Sequence, residues 1–151
     1  DALEEIAPLA REAEVALTIE NFPGADSAFV TAADFYAAKE RVPDLKLTFD
    51  DGNAASGEDP VASFEACAKD VVHIHLKDWT VRTEPAEGYR KMLDGRYYKA
   101  ALIGEGDIPT AACWEAFRRA GYAGFINIEY ESNEVPAAEA MKRAVSYLRS
   151  L

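Results

Sequence analysis

The run Val71-Val72-His73-Ile74-His75-Leu76-Lys77-Asp78 restricts the choice of fold more than any other stretch of the chain. It begins apolar, then alternates, and ends in charge. That is the pattern of a buried parallel strand whose C-terminal tip opens into a polar site. Both histidines of the chain lie here, two residues apart. Period two puts them on one face of a strand, with His75 nearer the tip. Three further runs, over residues 15–20, 45–50 and 125–130, have the same form, and Glu20, Asp50 and Glu129 stand at their tips.

The intervening segments read as helices. Asp1-Ala2-Leu3-Glu4 has the form of a capping box, and Leu3, Ile6, Leu9 and Ala10 make an apolar stripe, so a first helix is expected to residue 14. Thr31 is placed to cap a helix over 32–42 that Pro43 stops. Pro60 suits the first turn of a helix over 60–69. Thr110 is expected to cap a helix over 110–120, ended by Gly121, and a last helix covers 136–151. Residues 78–109 read as one long irregular region, whose Trp79, Tyr89, Tyr97 and Tyr98 suggest packing or a lid. The order is one helix followed by four βα units. This is an α/β chain with a parallel sheet and right-handed crossovers. A unit that recurs every ~30 residues suits half of an eightfold barrel, forming one domain over 1–151.

Alternation assigns the two faces. Leu17, Ile19, Leu47, Phe49, Val72, Ile74, Leu76, Ile126 and Ile128 share the face expected to pack under helices. Thr18, Glu20, Thr48, Asp50, His73, His75, Asn127 and Glu129 share the other. A doubly wound sheet buries apolar side chains on both faces, whereas a polar inner face fits a barrel interior whose upper layer is a site. Four strands do not close a barrel. Either a second copy or a missing N-terminal half-barrel is expected to cover the inner face, and the start of the chain in a helix favours the missing half.

Composition excludes several classes. The net charge of −11 opposes a nucleic-acid surface and an anionic membrane. No apolar run approaches the ~20 residues of a membrane span, and no signal peptide is expected before the domain. The two cysteines, Cys67 and Cys113, form no spaced motif. The expected setting is reducing and cytoplasmic.

Glu20, Asp50, His75 and Glu129 would converge at adjacent strand tips. Three carboxylates in one cleft repel each other unless a cation neutralises them. The oxygen-rich set with one nitrogen suits Mn²⁺, Mg²⁺, Co²⁺ or Zn²⁺. Such a metal would polarise a substrate carbonyl or hydroxyl and stabilise an enediolate, while two of the glutamates move protons. Lys77 lies on the His75 face and could meet substrate oxygen. The amides of Gly104-Glu105-Gly106 could bind phosphate if they point into the site; the alternative is a plain turn.

Ile19-Glu20-Asn21, Thr48-Phe49-Asp50-Asp51-Gly52-Asn53, His73-Ile74-His75-Leu76-Lys77-Asp78, Gly104-Glu105-Gly106 and Ile128-Glu129-Tyr130-Glu131 occur in this order. Together they resemble the C-terminal half of the sugar phosphate isomerase/epimerase family. This is the xylose-isomerase-like TIM-barrel group, which includes tagatose 3-epimerase-like enzymes, hydroxypyruvate isomerases and inosose dehydratases. The resemblance implies that Glu20, Asp50, His75 and Glu129 are the metal ligands, Mn²⁺ foremost, and that Glu20 and Glu129 are also the acid/base pair. It implies substrate contacts at Asn53, where relatives often carry a histidine, and at Asp78 and Arg82, with Glu131 at the rim. It implies a small sugar or polyol as substrate. Endonuclease IV shares the fold but needs more histidines and a basic DNA face. The expected activity is isomerisation or epimerisation; an inosose-type dehydratase and a non-catalytic, self-associating half-barrel are the alternatives.

Overall fold

The computed structural model describes residues 2–24 and 26–151. The first helix, α1 (Ala2–Glu12), leads into a short strand, β1 (Thr18–Glu20). Next come α2 (Ala32–Arg41), β2 (Lys46–Asp50), a single turn α3 (Asp51–Ala54) and α4 (Pro60–Cys67). A long strand, β3 (Val71–Arg82), is followed by β4 (Arg90–Lys91) and β5 (Tyr97–Ala101). The chain ends in α5 (Thr110–Arg119), β6 (Ile126–Glu129) and α6 (Ala137–Leu148). No helix among the described residues is long and apolar enough to cross a membrane.

Strands β1, β2, β3 and β6 run parallel in that order and curl into half of a barrel, with helices outside. The outer face is apolar. Ile19, Leu47, Phe49, Ile74 and Leu76 pack with Phe35, Phe64 and Phe117 in one core. Phe49, Phe64 and Phe117 meet edge to face, with centroids 4.6–6.2 Å apart. The inner face is polar, as the alternation predicts.

The register departs from strict alternation at one point. Leu47 pairs with Val71 but Thr48 pairs with His73, so Val72 is an extra residue on β3. A bulge reverses the facing of what precedes it. Val71 therefore lies in the core and Val72 is 41% exposed, the opposite of the expectation for Val72.

The helix expectations hold in outline, with local corrections. The α2 capping box is formed by Thr31 and Asp34, and Pro60 stands in the first turn of α4 behind the Asp59 cap. The capping box expected at Asp1 lies outside the described residues. In α1 the buried residue is Ala7, whereas Ile6 and Leu9 of the expected stripe are exposed. Thr110 does not cap α5. It is the first residue of the helix, and its hydroxyl turns back to the Ile108 carbonyl.

Residues 78–109 are not one irregular loop. β3 continues to Arg82, and its second half pairs antiparallel with β5, which pairs with β4. Asp94-Gly95 makes the β4–β5 turn, with Gly95 at φ +82 and its amide donating to the Met92 carbonyl at 3.0 Å. Such a dipeptide between strand-forming runs is a hairpin signal. Trp79, Met92, Tyr98 and Ile108 form a second, smaller core under it.

Candidate metal centre

The parallel register brings the strand tips together. Asp50 lies opposite His75, Lys77 lies opposite Glu129, and Glu20 ends the neighbouring strand. One ligand atom from each of Glu20, Asp50, His75 and Glu129 falls within 4.8 Å of all the others. His75 Nδ1 is 3.0 Å from Glu20 Oε1 and 3.0 Å from Glu129 Oε1. A single ring nitrogen has at most one hydrogen to share between two carboxylates. The crowding at this nitrogen, and an oxygen-rich set with one imidazole, fit a divalent cation.

The supports of this group are largely backbone-directed. Asp50 Oδ1 accepts from the Asn53 amide at 2.7 Å and so caps α3. Its other oxygen, Oδ2, is buried and accepts no hydrogen bond. The Asn21 side chain clamps the Asp50 backbone from both sides, accepting from its amide at 2.9 Å and donating to its carbonyl at 2.8 Å. Asn21 thus continues the β1–β2 ladder by side chain. Asp51 is fully buried, and its Oδ1 accepts from the Gly52 and Lys77 amides at 2.8 and 2.9 Å. Burial pushes the Asp51 carboxyl up to about 7. No local pattern marks either residue: Asn21 meets backbone atoms that sheet pairing brings near, and Asp51 joins the adjacent Gly52 amide to the distant Lys77 amide.

Lys77 is buried inside the centre. Its Nζ lies 2.6 Å from Glu129 Oε2, 3.2 Å from Glu131 Oε1 and 3.3 Å from Asp50 Oδ2. Burial opposes its charge, but Asp50, Glu129 and Glu131 outweigh that and raise its pKa. Burial likewise pushes Asp50 upward, against Lys77. These two directions compete over one contact. Lys77 holds its charge, because three carboxylates share its ammonium.

Asn53 is fully buried at the rim of the centre, with Nδ2 3.5 Å from Glu20 Oε1 and no partner for Oδ1. Asp78 is not brought to the centre. Period two turns it to the opposite face from His75 and Lys77. There its carboxylate accepts from the amides of Gly104, Gly106 and Ile108 at 2.8, 3.0 and 3.2 Å. Two of the amides considered for phosphate are therefore taken by an internal carboxylate. Arg82 lies in the second sheet, exposed, with its guanidinium 5.3 Å from the centroid of the Tyr89 ring. Glu131 joins the centre to the hairpin, through Lys77 and through Arg90 at 3.1 Å.

The chain is 28% identical over 144 residues to an inosose dehydratase of Lacticaseibacillus casei, a match that covers 89% of this chain and 47% of that protein. It is 30% identical over 147 residues to the L-ribulose-5-phosphate 3-epimerase UlaE of Shigella boydii, covering 94% of this chain and 46% of the relative. Among solved structures, a xylose isomerase domain protein from Planctomyces limnophilus superposes with a TM-score of 0.73 at 21% identity, over 97% of this chain and 48% of that one. The chain spans about half the length of the curated relatives it matches. A sequence profile of the xylose isomerase-like TIM barrel family matches residues 1–151. A curled four-strand parallel sheet with a polar inner face, and a profile match along its whole length, assign the chain to the xylose isomerase-like TIM barrel family.

Proposed function

We propose that this chain carries the metal centre of an isomerase or epimerase that acts on a sugar or sugar-derived polyol ketone through an enediolate. The observation that supports this reading is the convergence of Glu20, Asp50, His75 and Glu129 within 4.8 Å. These four would hold the cation, with Mn²⁺ first and Mg²⁺, Co²⁺ or Zn²⁺ as substitutes. A divalent cation in this position supplies a Lewis acid for a substrate carbonyl or hydroxyl. Glu20 and Glu129 form the acid/base pair. One carboxylate takes the proton from the carbon beside the substrate carbonyl. The other returns a proton from the opposite side, which inverts that carbon; return at the neighbouring carbon gives isomerisation. Asn53, with its unpartnered Oδ1, is the residue assigned to substrate hydroxyls.

The relationship to an inosose dehydratase favours a second reading. The same proton abstraction, followed by loss of the β-hydroxyl as water, gives dehydration. The whole active site draws on a covering half, either a second copy or four further βα units. The free, buried Cys67 and Cys113 support a reducing, cytoplasmic setting.

Calorimetric titration with Mn²⁺ tests the centre. The expected result is one site, weakened more than about 100-fold by His75→Ala. Equal binding by wild type and variant would remove the four-ligand site. Incubation with ketoses and inososes in D₂O then separates the reactions: a deuterated product of unchanged composition marks epimerisation or isomerisation, and an unsaturated product lighter by one water marks dehydration.

A further inference from the structure

We propose that Lys77 is the built-in counter-cation of the metal centre, holding its carboxylates together without metal and lowering their affinity for it. The inference rests on the metal-centre reading above. It goes beyond it by giving Lys77 a task toward the ligands themselves.

The lysine side chain is only 3% exposed, and its ammonium is directed at protein carboxylates. An ammonium has three N–H donors, and three carboxylates lie within ion-pair distance of this one. Two of the three, Asp50 and Glu129, are ligands of the proposed centre. Each is divided between two neighbours. Asp50 gives Oδ1 to the Asn53 amide, and its Oδ2 is the atom near Lys77. Glu129 turns Oε1 to His75 and Oε2 to Lys77. The third carboxylate, Glu131, has its own cation in Arg90. Glu20, Asp50 and Glu129 thus have one ammonium of the protein among them before any cation is bound.

The backbone fixes Lys77 in this position. Its amide donates to the buried Asp51 carboxylate at 2.9 Å. Gly52 packs so closely that a Cβ there would lie 2.6 Å from the Lys77 carbonyl oxygen. The ammonium therefore cannot withdraw by a shift of β3 against α3. When a cation enters, it meets a like charge on the same carboxylates, and like charges in a poorly screened site repel strongly. Without a cation, the ammonium keeps the carboxylates from driving one another apart. Lys77 is thus a positioning residue whose removal should tighten metal binding, the reverse of what loss of a ligand or of a structural prop would do.

Three variants test this: Lys77→Met and Lys77→Gln, which remove the charge, and Lys77→Arg, which keeps it. Mn²⁺ affinity is read by calorimetry and the unfolding midpoint by thermal scan with and without Mn²⁺. Met and Gln are expected to bind Mn²⁺ about tenfold or more tightly than wild type. Their metal-free midpoints should fall, and the deficit should close at saturating Mn²⁺. Arg should stay close to wild type in affinity. If wild type binds Mn²⁺ and the Met and Gln variants bind it equally or more weakly, Lys77 is not a counter-cation and the metal centre stands without this role. If none of the proteins binds Mn²⁺, the metal-centre reading fails and the inference falls with it.

Discussion

Asp78 differs from its neighbour Lys77 in the one respect that decides its role, the face of β3 on which it stands. Its carboxylate gathers the amides of Gly104, Gly106 and Ile108 and closes the turn before α5. Removing an acceptor leaves buried donors without partners, at a cost of about 1–3 kcal/mol each. Asp78→Ala should therefore lower the stability of the chain by about 3 kcal/mol or more in urea unfolding, and Asp78→Asn by less, since the amide keeps one acceptor oxygen. Mn²⁺ affinity should hold in Asp78→Asn. Loss of metal with unchanged stability would put this carboxylate in the centre after all. The placement is legible from period two alone, because residue 78 is odd-numbered steps from 75 and 77. Its position in the motif points instead to substrate. Asn21 shows the reverse case: its side chain completes a ladder with Asp50, and nothing in the local sequence marks that pairing.

Elements were legible where a local pattern was enough. The four barrel strands, the Thr31 cap of α2 and the proline start of α4 all follow from residues within a few positions of each other. The extension of β3 and its pairing with β5 depend on partners about twenty positions away, and the Asp94-Gly95 turn was the one local sign of them. The bulge at Val72 arises from fitting β3 to β2, which period two cannot anticipate. A buried carboxylate ties the same region together. Asp70, just before β3, pairs with Lys39 of α2 at 3.2 Å and with Lys46 of β2 at 3.0 Å. Burial alone would raise the Asp70 pKa, but hydrogen bonds from Lys46 and Lys39 outweigh it and hold the group below 3.8. A depressed carboxyl contributes stability above its unfolded pKa and loses it as pH falls through the folded one. Asp70→Asn should cost about 1–2 kcal/mol at pH 7. The gap from wild type, measured by urea unfolding at a series of pH values, should persist at moderately acid pH and close only below about 4. A gap that widened in acid would reverse the sign.

At the scale of the molecule, β1 and β6 each pair on one side only among the described residues. Exposed apolar side chains adjoin both strands along the chain: Val15 and Phe22 flank β1, and Phe125 immediately precedes β6. Unpaired edges with apolar neighbours recruit further strands. Sedimentation of this chain alone should give species larger than a monomer, and Phe125→Lys should shift them toward the monomer. A wild-type monomer that binds one Mn²⁺ would show instead that the half-barrel assembles its centre unaided. The sequence by itself determined the βα order, the polar inner face and the four residues at the strand tips, because alternation and tip position are local properties of a strand. Packing between elements decided that Lys77 is buried among the ligands, that Arg82 is carried into the second sheet, and that Asn21 and Asp51 brace the centre. Those distinctions depend on the register between strands and on which backbone amides a buried carboxylate meets, and both are set by how separate elements pack.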